Sequence, residues 1–280
     1  MSAVAIKRNG VECYKLAKIG GVNKQSVGSW SGVDSAPPPK FFSMFEDGSG
    51  TTSADLSLGT TAHDAEFVGA CDWYTASTAA GTYAIATGTG EAIKIDDHND
   101  LDWPVDGEWA FSTYTATLSN TYAGCLVKRT GSGSAYRGFA LYFLNGVIDC
   151  YIVDAYSSEA LHVKGTGTST NIKDGNWHHV VVSWDGTGSQ DSSALTMWID
   201  GVKHTVGNGK LAVHSGIDTL DSDSVITNSV DIYLSNSSDT QVYPSGGVDH
   251  TAIWNGTGLT ATQVAVLYNS GTPIDVRRGL

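Results

Sequence analysis

The chain has 280 residues, and 41% of them are apolar, which is enough for a sizeable core and excludes an intrinsically disordered polymer. Only 16% are charged and the formal net charge is −13, which argues against a free-standing nucleic-acid binder, because phosphate contacts need clustered Lys and Arg. No apolar run approaches ~18 residues, so no membrane span is expected; the opening MSAVAIKRNG shows no secretion-signal pattern.

Residues 1–40 hold six bases (Lys7, Arg8, Lys15, Lys18, Lys24, Lys40) against Glu12 and Asp34, a balance of +4, while the rest carries −17. A basic arm on an acidic body implies two different partners. The arm repeats with a period of 11: Asn9-Gly10-Val11, Gly20-Gly21-Val22 and Ser31-Gly32-Val33, preceded by Ile6, Ile19 and Trp30. Units this short bury no core alone. The apolar set Ile6, Val11, Ile19, Val22, Trp30 and Val33 is therefore expected to dock onto a partner or onto further copies of the chain, by strand addition. Pro37-Pro38-Pro39 reads as a stiff spacer, which places the boundary between arm (1–40) and body (41–280).

The body has few Glu, many Asp, Thr, Ser, Gly and Tyr, and a series of strand-like runs. These are Ala92–Ile95, Glu108–Leu118, Gly124–Lys128, Arg137–Leu144, Val147–Val153, Trp177–Trp184, Leu195–Ile199, Val202–Val206, Asp231–Leu234 and Gly247–Trp254. Asn145-Gly146 and Asp200-Gly201 are two-residue hairpin turns, where positive φ is needed at both positions. The fold expected is all-β: two stacked antiparallel sheets. One short helix follows Thr260, with Gln263 completing a capping box, Val264, Leu267 and Tyr268 at helical spacing, and Gly271 as its stop, sealing an edge or end of the sandwich. Cys13, Cys71, Cys125 and Cys150 form no CxxC pair and read as reduced, fitting assembly in a cytoplasm, with a Cys125–Cys150 bridge left open.

Asn176–Val202 resembles the laminin G-like, concanavalin A-like jelly-roll family. Trp177, His178, His179, Trp184, Asp185 and Gly186 match its W-H-H-…-W-D-G strand, and Trp198, Asp200, Gly201 and Val202 match the strand that follows. Gly247–Trp254 resembles the family's last strand and Leu259–Gly271 its closing helix; Phe45–Gly50 fits the opening more loosely. The resemblance implies a structural Ca²⁺ held by Asp249 with Glu46 and Asp47. The 11-residue Gly-Val repeats and the tail Tyr268–Asp275 are similar to structural proteins of tailed bacteriophages, which implies a virion component, in capsid decoration or tail fibre, docked to other virion proteins and present in symmetric copies.

Family glucanases cleave with paired carboxylates on one strand, and none of the glutamates here share a strand, so no catalytic residues are expected. The Asp96–Asp102 loop is a cation candidate or a solvated acidic turn. His178 and His179 are adjacent on a strand, so their side chains point to opposite faces and are expected to be sheet residues. Sugar sites use exposed aromatic faces in loops, which singles out Trp73, Tyr74, Trp103, Tyr136, Tyr156 and Tyr243, with Trp109 beside them, for host-glycan contact. A free lectin and, more remotely, a glycoside hydrolase stand as alternatives.

Overall fold

The computed structural model describes residues 5–8, 11–14, 36–75, 78–88, 90–117, 122–130, 136–155, 159–186, 190–235, 246–277 and 279–280. It divides into a unit spanning 1–35 and a unit spanning 36–280. In the first, β1 (Ala5–Arg8) pairs antiparallel with β2 (Val11–Tyr14), setting Ile6 opposite Cys13 and Arg8 opposite Val11. Ile19, Val22, Trp30 and Val33 lie outside the described residues.

The second unit opens with β3 (Phe41–Ser43), β4 (Thr52–Ser53), β5 (Ala65–Val68), β6 (Asp72–Tyr74), β7 (Ala84–Ala86) and β8 (Ala92–Ile95). Five longer strands follow: β9 (Trp109–Thr117), β10 (Tyr122–Thr130), β11 (Arg137–Leu144), β12 (Val147–Ala155) and β13 (Glu159–Gly165). After them come β14 (His178–Trp184), β15 (Leu195–Ile199), β16 (Val202–His204), β17 (Leu211–Asp218), β18 (Ile232–Leu234) and β19 (Gly246–Asn255), then the helix α1 (Ala261–Tyr268). One sheet has nine strands in the order β17-β13-β12-β11-β10-β18-β8-β5-β4. The other has eight, β16-β15-β14-β9-β19-β7-β6 with β3 beside β19. The expected two-sheet antiparallel jelly roll is the observed architecture.

Alternation builds the core between the sheets. From one sheet Leu126, Phe139, Leu141, Phe143, Ile148, Ile152, Leu161 and Val163 point inward; from the other come Trp109, Phe111, Val180, Val182, Trp184, Met197 and Ile253. Trp103 and Trp109 stack at 4.7 Å with Phe139 edge-on to both, and Trp184 Nε1 donates to the Val105 carbonyl at 2.9 Å. Burying each such ring contributes ~2–3 kcal/mol. Cys125 and Cys150 lie free in this core, so the bridge left open by the sequence does not form.

A second apolar layer covers the outer side of the eight-stranded sheet. Ala110, Val181, Trp198, Ala252 and Trp254 face away from the sandwich and pack against Val264 and Leu267 of α1, with Val276 and Ala36. The helix therefore lies across a sheet face rather than sealing an edge, because β9, β14, β15 and β19 are apolar on both sides. Its capping box forms, with Thr260 Oγ1 accepting from Gln263 N and Gln263 Oε1 accepting from Thr260 N. It ends at Asn269 (φ 40°), in the left-handed region, two residues before the expected Gly271. The Pro37–Pro39 segment belongs to this layer rather than to a free spacer. Trp254 Nε1 donates to the Pro37 carbonyl at 3.0 Å and Leu280 N to the Ala36 carbonyl at 3.2 Å, which ties both ends of the body together.

The Asp200-Gly201 turn has the two positive φ values expected (51° and 74°), and Ile199 faces Val202 across it. The turn positions the two histidines on opposite faces. Asp200 accepts from His178 Nδ1 at 2.7 Å and from the His179 backbone N–H at 3.0 Å. His178 also meets Asp174 at 3.0 Å, whereas His179 is buried under Tyr114 (ring centroids 4.6 Å apart) with Nε2 2.9 Å from Ser112 Oγ.

Two lysines of the sheet neutralise part of the acidic Asp96–Asp102 loop. Lys128, 3% exposed, reaches it from β10, pairs with Asp97 and with Asp102 at 3.2 Å, and donates to the Val230 carbonyl at 2.9 Å. Lys94 on β8 pairs with Asp96 at 3.0 Å and with Glu66 on β5 at 2.6 Å.

Two measurements test these arrangements. Burial holds the His179 pKa down from 6.5 to about 4. Between those values an unfolded histidine binds a proton that the folded one does not, so stability falls as pH drops from about 6.5 to about 4. The Asp200 and Asp174 contacts raise the pKa of His178, so its contribution is complete below 6.5 and constant across that window. Urea midpoints of His179→Gln should show a shallower acid-side slope than the parent chain, the remainder coming from His63, His204 and His214, whose pKa values burial also lowers. Removing the Lys128 ammonium by Lys128→Ala strands two partly buried carboxylates and should cost about 2–3 kcal/mol in urea unfolding, less than a fully buried pair because water reaches both aspartates.

Candidate ligand-binding face

The outer side of the nine-stranded sheet differs in chemistry from the layer under α1. On β11, β12 and β13 the inward residues are apolar, and the alternate positions present Tyr142, Asp149, Tyr151, His162 and Lys164. The antiparallel register places Tyr142 opposite Asp149, Asp149 opposite Lys164, and Tyr151 opposite His162. Asp149 lies 2.6 Å from His162 Nε2 and 3.4 Å from Lys164 Nζ. Tyr151 stacks on His162 at 3.9 Å, His214 of β17 meets His162 at 4.5 Å, and Tyr142 stands edge-on to Tyr151 at 6.3 Å. At the β10 end the Arg129 guanidinium sits 3.8 Å from the centre of the Tyr136 ring and 5.7 Å from that of Tyr142.

The strip has two levels. Asp149, His162 and Tyr142 are 1%, 2% and 2% exposed and Arg129 7%, so these four form a buried base. Tyr136 and Tyr151 are half-buried, Lys164 reaches partly into solvent, and His214 is exposed. Desolvation, then His162 and Lys164, lower the His214 pKa, which favours its neutral form. Flat rings beside Lys164, with hydrogen-bonding imidazoles, suit a ligand that offers both C–H faces and hydroxyl or acidic groups.

Of the aromatics singled out from sequence, Tyr136 belongs to this strip. Trp73 and Tyr74 lie on β6, at the far edge of the other sheet. Trp73 packs against Phe67 and Tyr83 and donates from Nε1 to the Gly50 carbonyl at 3.0 Å, while Tyr74 is exposed. Trp103 and Trp109 are core residues, 3% and 0% exposed, and offer no ring to a sugar: their apolar area fills the inter-sheet space. Tyr156 and Tyr243 lie outside the described residues. Tyr142, Tyr151, Asp149, His162 and Lys164 were missed, although their alternation with apolar neighbours on three successive strands is a readable signal.

The carboxylates expected to hold calcium serve the chain's own backbone. Asp249 is fully buried and accepts from Ala79 N at 3.0 Å, Ala80 N at 3.3 Å and His250 Nδ1 at 2.6 Å. Burial raises its pKa. Glu46 accepts from Thr82 N and Tyr83 N, and Asp47 from Ser53 Oγ and Ala54 N. Asp249 and Glu46 thus pin one loop, residues 79–83, from two sides. Among the described residues Glu46, Asp47 and Asp249 are not brought together as a metal-binding group, and their oxygens face N–H and O–H donors, so the set does not fit the ion.

No protein-family profile matches the chain, and no curated protein is similar to it in sequence. Solved structures are similar in fold. The binding domain of Paraclostridial Mosquitocidal Protein 1 superposes with a TM-score of 0.58 at 12% identity, over 83% of this chain and 52% of that one. The botulinum neurotoxin serotype C1 binding domain gives 0.58 at 8% identity, over 83% and 52%. A structure of botulinum neurotoxin type C, whose cell entry is described as dependent on two ganglioside molecules, gives 0.58 at 10% identity, over 85% and 53%. The chain spans about half the length of these domains. The likeness shows the jelly-roll sandwich; the similar structures are binding domains.

Proposed function

We propose that this chain is a lectin-like adhesion module rather than an enzyme, with the outer strip of β11–β13 as its saccharide-binding face. The observation that carries the reading is the pair of half-buried rings, Tyr136 and Tyr151, beside Lys164 on one sheet face, held on a buried base of Arg129, Tyr142, Asp149 and His162. Asp149 is engaged by His162 and Lys164, and Asp154 by Arg137 and the Val225 N–H. A retaining glycosidase holds its carboxyl pair ~5–5.5 Å apart. Similar structures described as binding domains, one tied to gangliosides and another in complex with SialylT, support the same class of activity.

The setting we propose is the virion of a tailed bacteriophage. The basic residues 1–40, with their Gly-Val repeats, dock to other virion proteins or to neighbouring copies, and the acidic body displays the strip for host-glycan adhesion. The antiparallel β1–β2 pair supports docking by strand addition.

A glycan array probed with the full chain should give a restricted set of bound saccharides, and Tyr151→Ala should weaken binding by about tenfold (~1.4 kcal/mol). Equal binding by that variant, or no bound glycan, rejects the face. A chain lacking residues 1–35 should keep the array pattern and be missing from purified particles analysed by mass spectrometry. Its normal incorporation rejects the docking arm.

A further inference from the structure

We infer that His63, His98 and Asp100 form a binding site for a transition-metal dication of the zinc class. The site is independent of the glycan-binding face.

Strand pairing brings the ligands together. Ala65 of β5 lies opposite Ile95 of β8, so the segment entering β5 and the segment leaving β8 run out of the sheet side by side. His63 stands just before the first strand, and His98 and Asp100 just beyond the second. His63 Nε2 is 3.9 Å from Asp100 Oδ2, His98 Nδ1 is 3.7 Å from the same oxygen, and the imidazole centres are 4.9 Å apart. The three ligand atoms lie within 4.8 Å of one another. Zinc bonds nitrogen and carboxylate oxygen at ~2.0–2.2 Å, so at tetrahedral angles two of its ligand atoms stand roughly 3.4 Å apart. The two His–Asp separations exceed that by about half an ångström or less, and the two ring nitrogens, within 4.8 Å of each other, close on the ion by side-chain rotation.

An independent observation points into the same space. His63 is 6% exposed, and its Nε2 is buried without a hydrogen-bond partner. Buried ring nitrogens are ordinarily satisfied, and a cation between His63 and Asp100 would satisfy this one. The residue is held from behind. Its backbone N–H donates to Asp55 Oδ2 at 3.0 Å, and Asp55 Oδ1 also takes the N–H groups of Phe42 and Ser57. On the other side, Leu101 is fully buried and anchors the short 3-10 turn Asn99–Leu101. His98 Nδ1 accepts the Asp100 N–H at 3.1 Å, a bond that ligation through Nδ1 would exchange for the metal.

The donor set selects the ion. Two imidazoles and one carboxylate suit zinc and its neighbours and disfavour calcium and magnesium, which take oxygen cages. Three protein ligands leave a fourth position for water. The bound ion would tie the β4–β5 connection to the loop after β8.

The test is zinc titration of the chelator-stripped full chain by calorimetry, with melting temperature as a second readout. Expected are one saturable site per chain, a rise in melting temperature that calcium does not produce, and affinity at least ~100-fold weaker in His98→Gln. His98 is 41% exposed, so this variant should fold even if His63→Gln does not. His214→Gln, on β17 at the opposite edge of the same sheet, should bind zinc as the parent does. Absence of a saturable site, or parental affinity in His98→Gln, overturns the inference.

Discussion

The rest of the structure depends on burying the central strands of the eight-stranded sheet on both faces. Trp109, Phe111, Val180, Val182, Trp184 and Ile253 fill the space between the sheets, and Ala110, Val181, Ala252 and Trp254 fill the space under α1. Such strands need a third layer, which a short helix and both ends of the body supply. Several polar groups caught beneath it are paired. Ser183 Oγ accepts the Leu259 N–H at 2.8 Å, the Tyr114 hydroxyl donates to the Tyr268 carbonyl at 3.1 Å, and Ser112 Oγ meets His179 Nε2 at 2.9 Å. Leaving such groups unpaired would cost ~1–3 kcal/mol each, so the helix is attached by hydrogen bonds as well as by apolar area.

This asymmetry positions chemistry on the opposite sheet. The outer side of β10–β13 carries rings, a guanidinium, an ammonium and a buried carboxylate in place of a helix-packing surface. Asp149 sits so deep that it needs two cationic or hydrogen-bonding partners, and His162 and Lys164 provide them from the adjacent strand. The buried pair fixes the half-buried rings above it, giving a pre-ordered surface instead of a set of mobile side chains.

Acidic residues elsewhere illustrate how a charge acquires its role from its neighbours. Asp97 and Asp102 stand in a run of aspartates that reads as a cation loop, yet the cation supplied is Lys128, from a strand 26 residues beyond Asp102 in the chain. Asp249 and Glu46, likewise, spend their oxygens on the N–H groups of residues 79–83, because a loop without strand partners must pair its donors somewhere.

Local physics made much of the fold readable. β8, β11 and β15 fall where the apolar runs place them, the Asp200-Gly201 hairpin follows from its turn residues, and the capping box starts α1. β13 and β17 escaped notice because Glu159, His162 and Lys164 interrupt one and Ser215-Gly216 the other, so neither forms an apolar run. An amino-acid string determines period, turn chemistry and caps, since these depend on neighbours a few residues apart. It left open which aromatics are core and which are surface: Trp103 and Tyr136 look alike in sequence, and only the stacking of two sheets sends one inward and the other beside Arg129. The same holds for the grouping of Tyr142, Asp149 and His162, and of His63 with Asp100. Strand register decides such pairings, and register is a property of the assembled sheet rather than of any one segment.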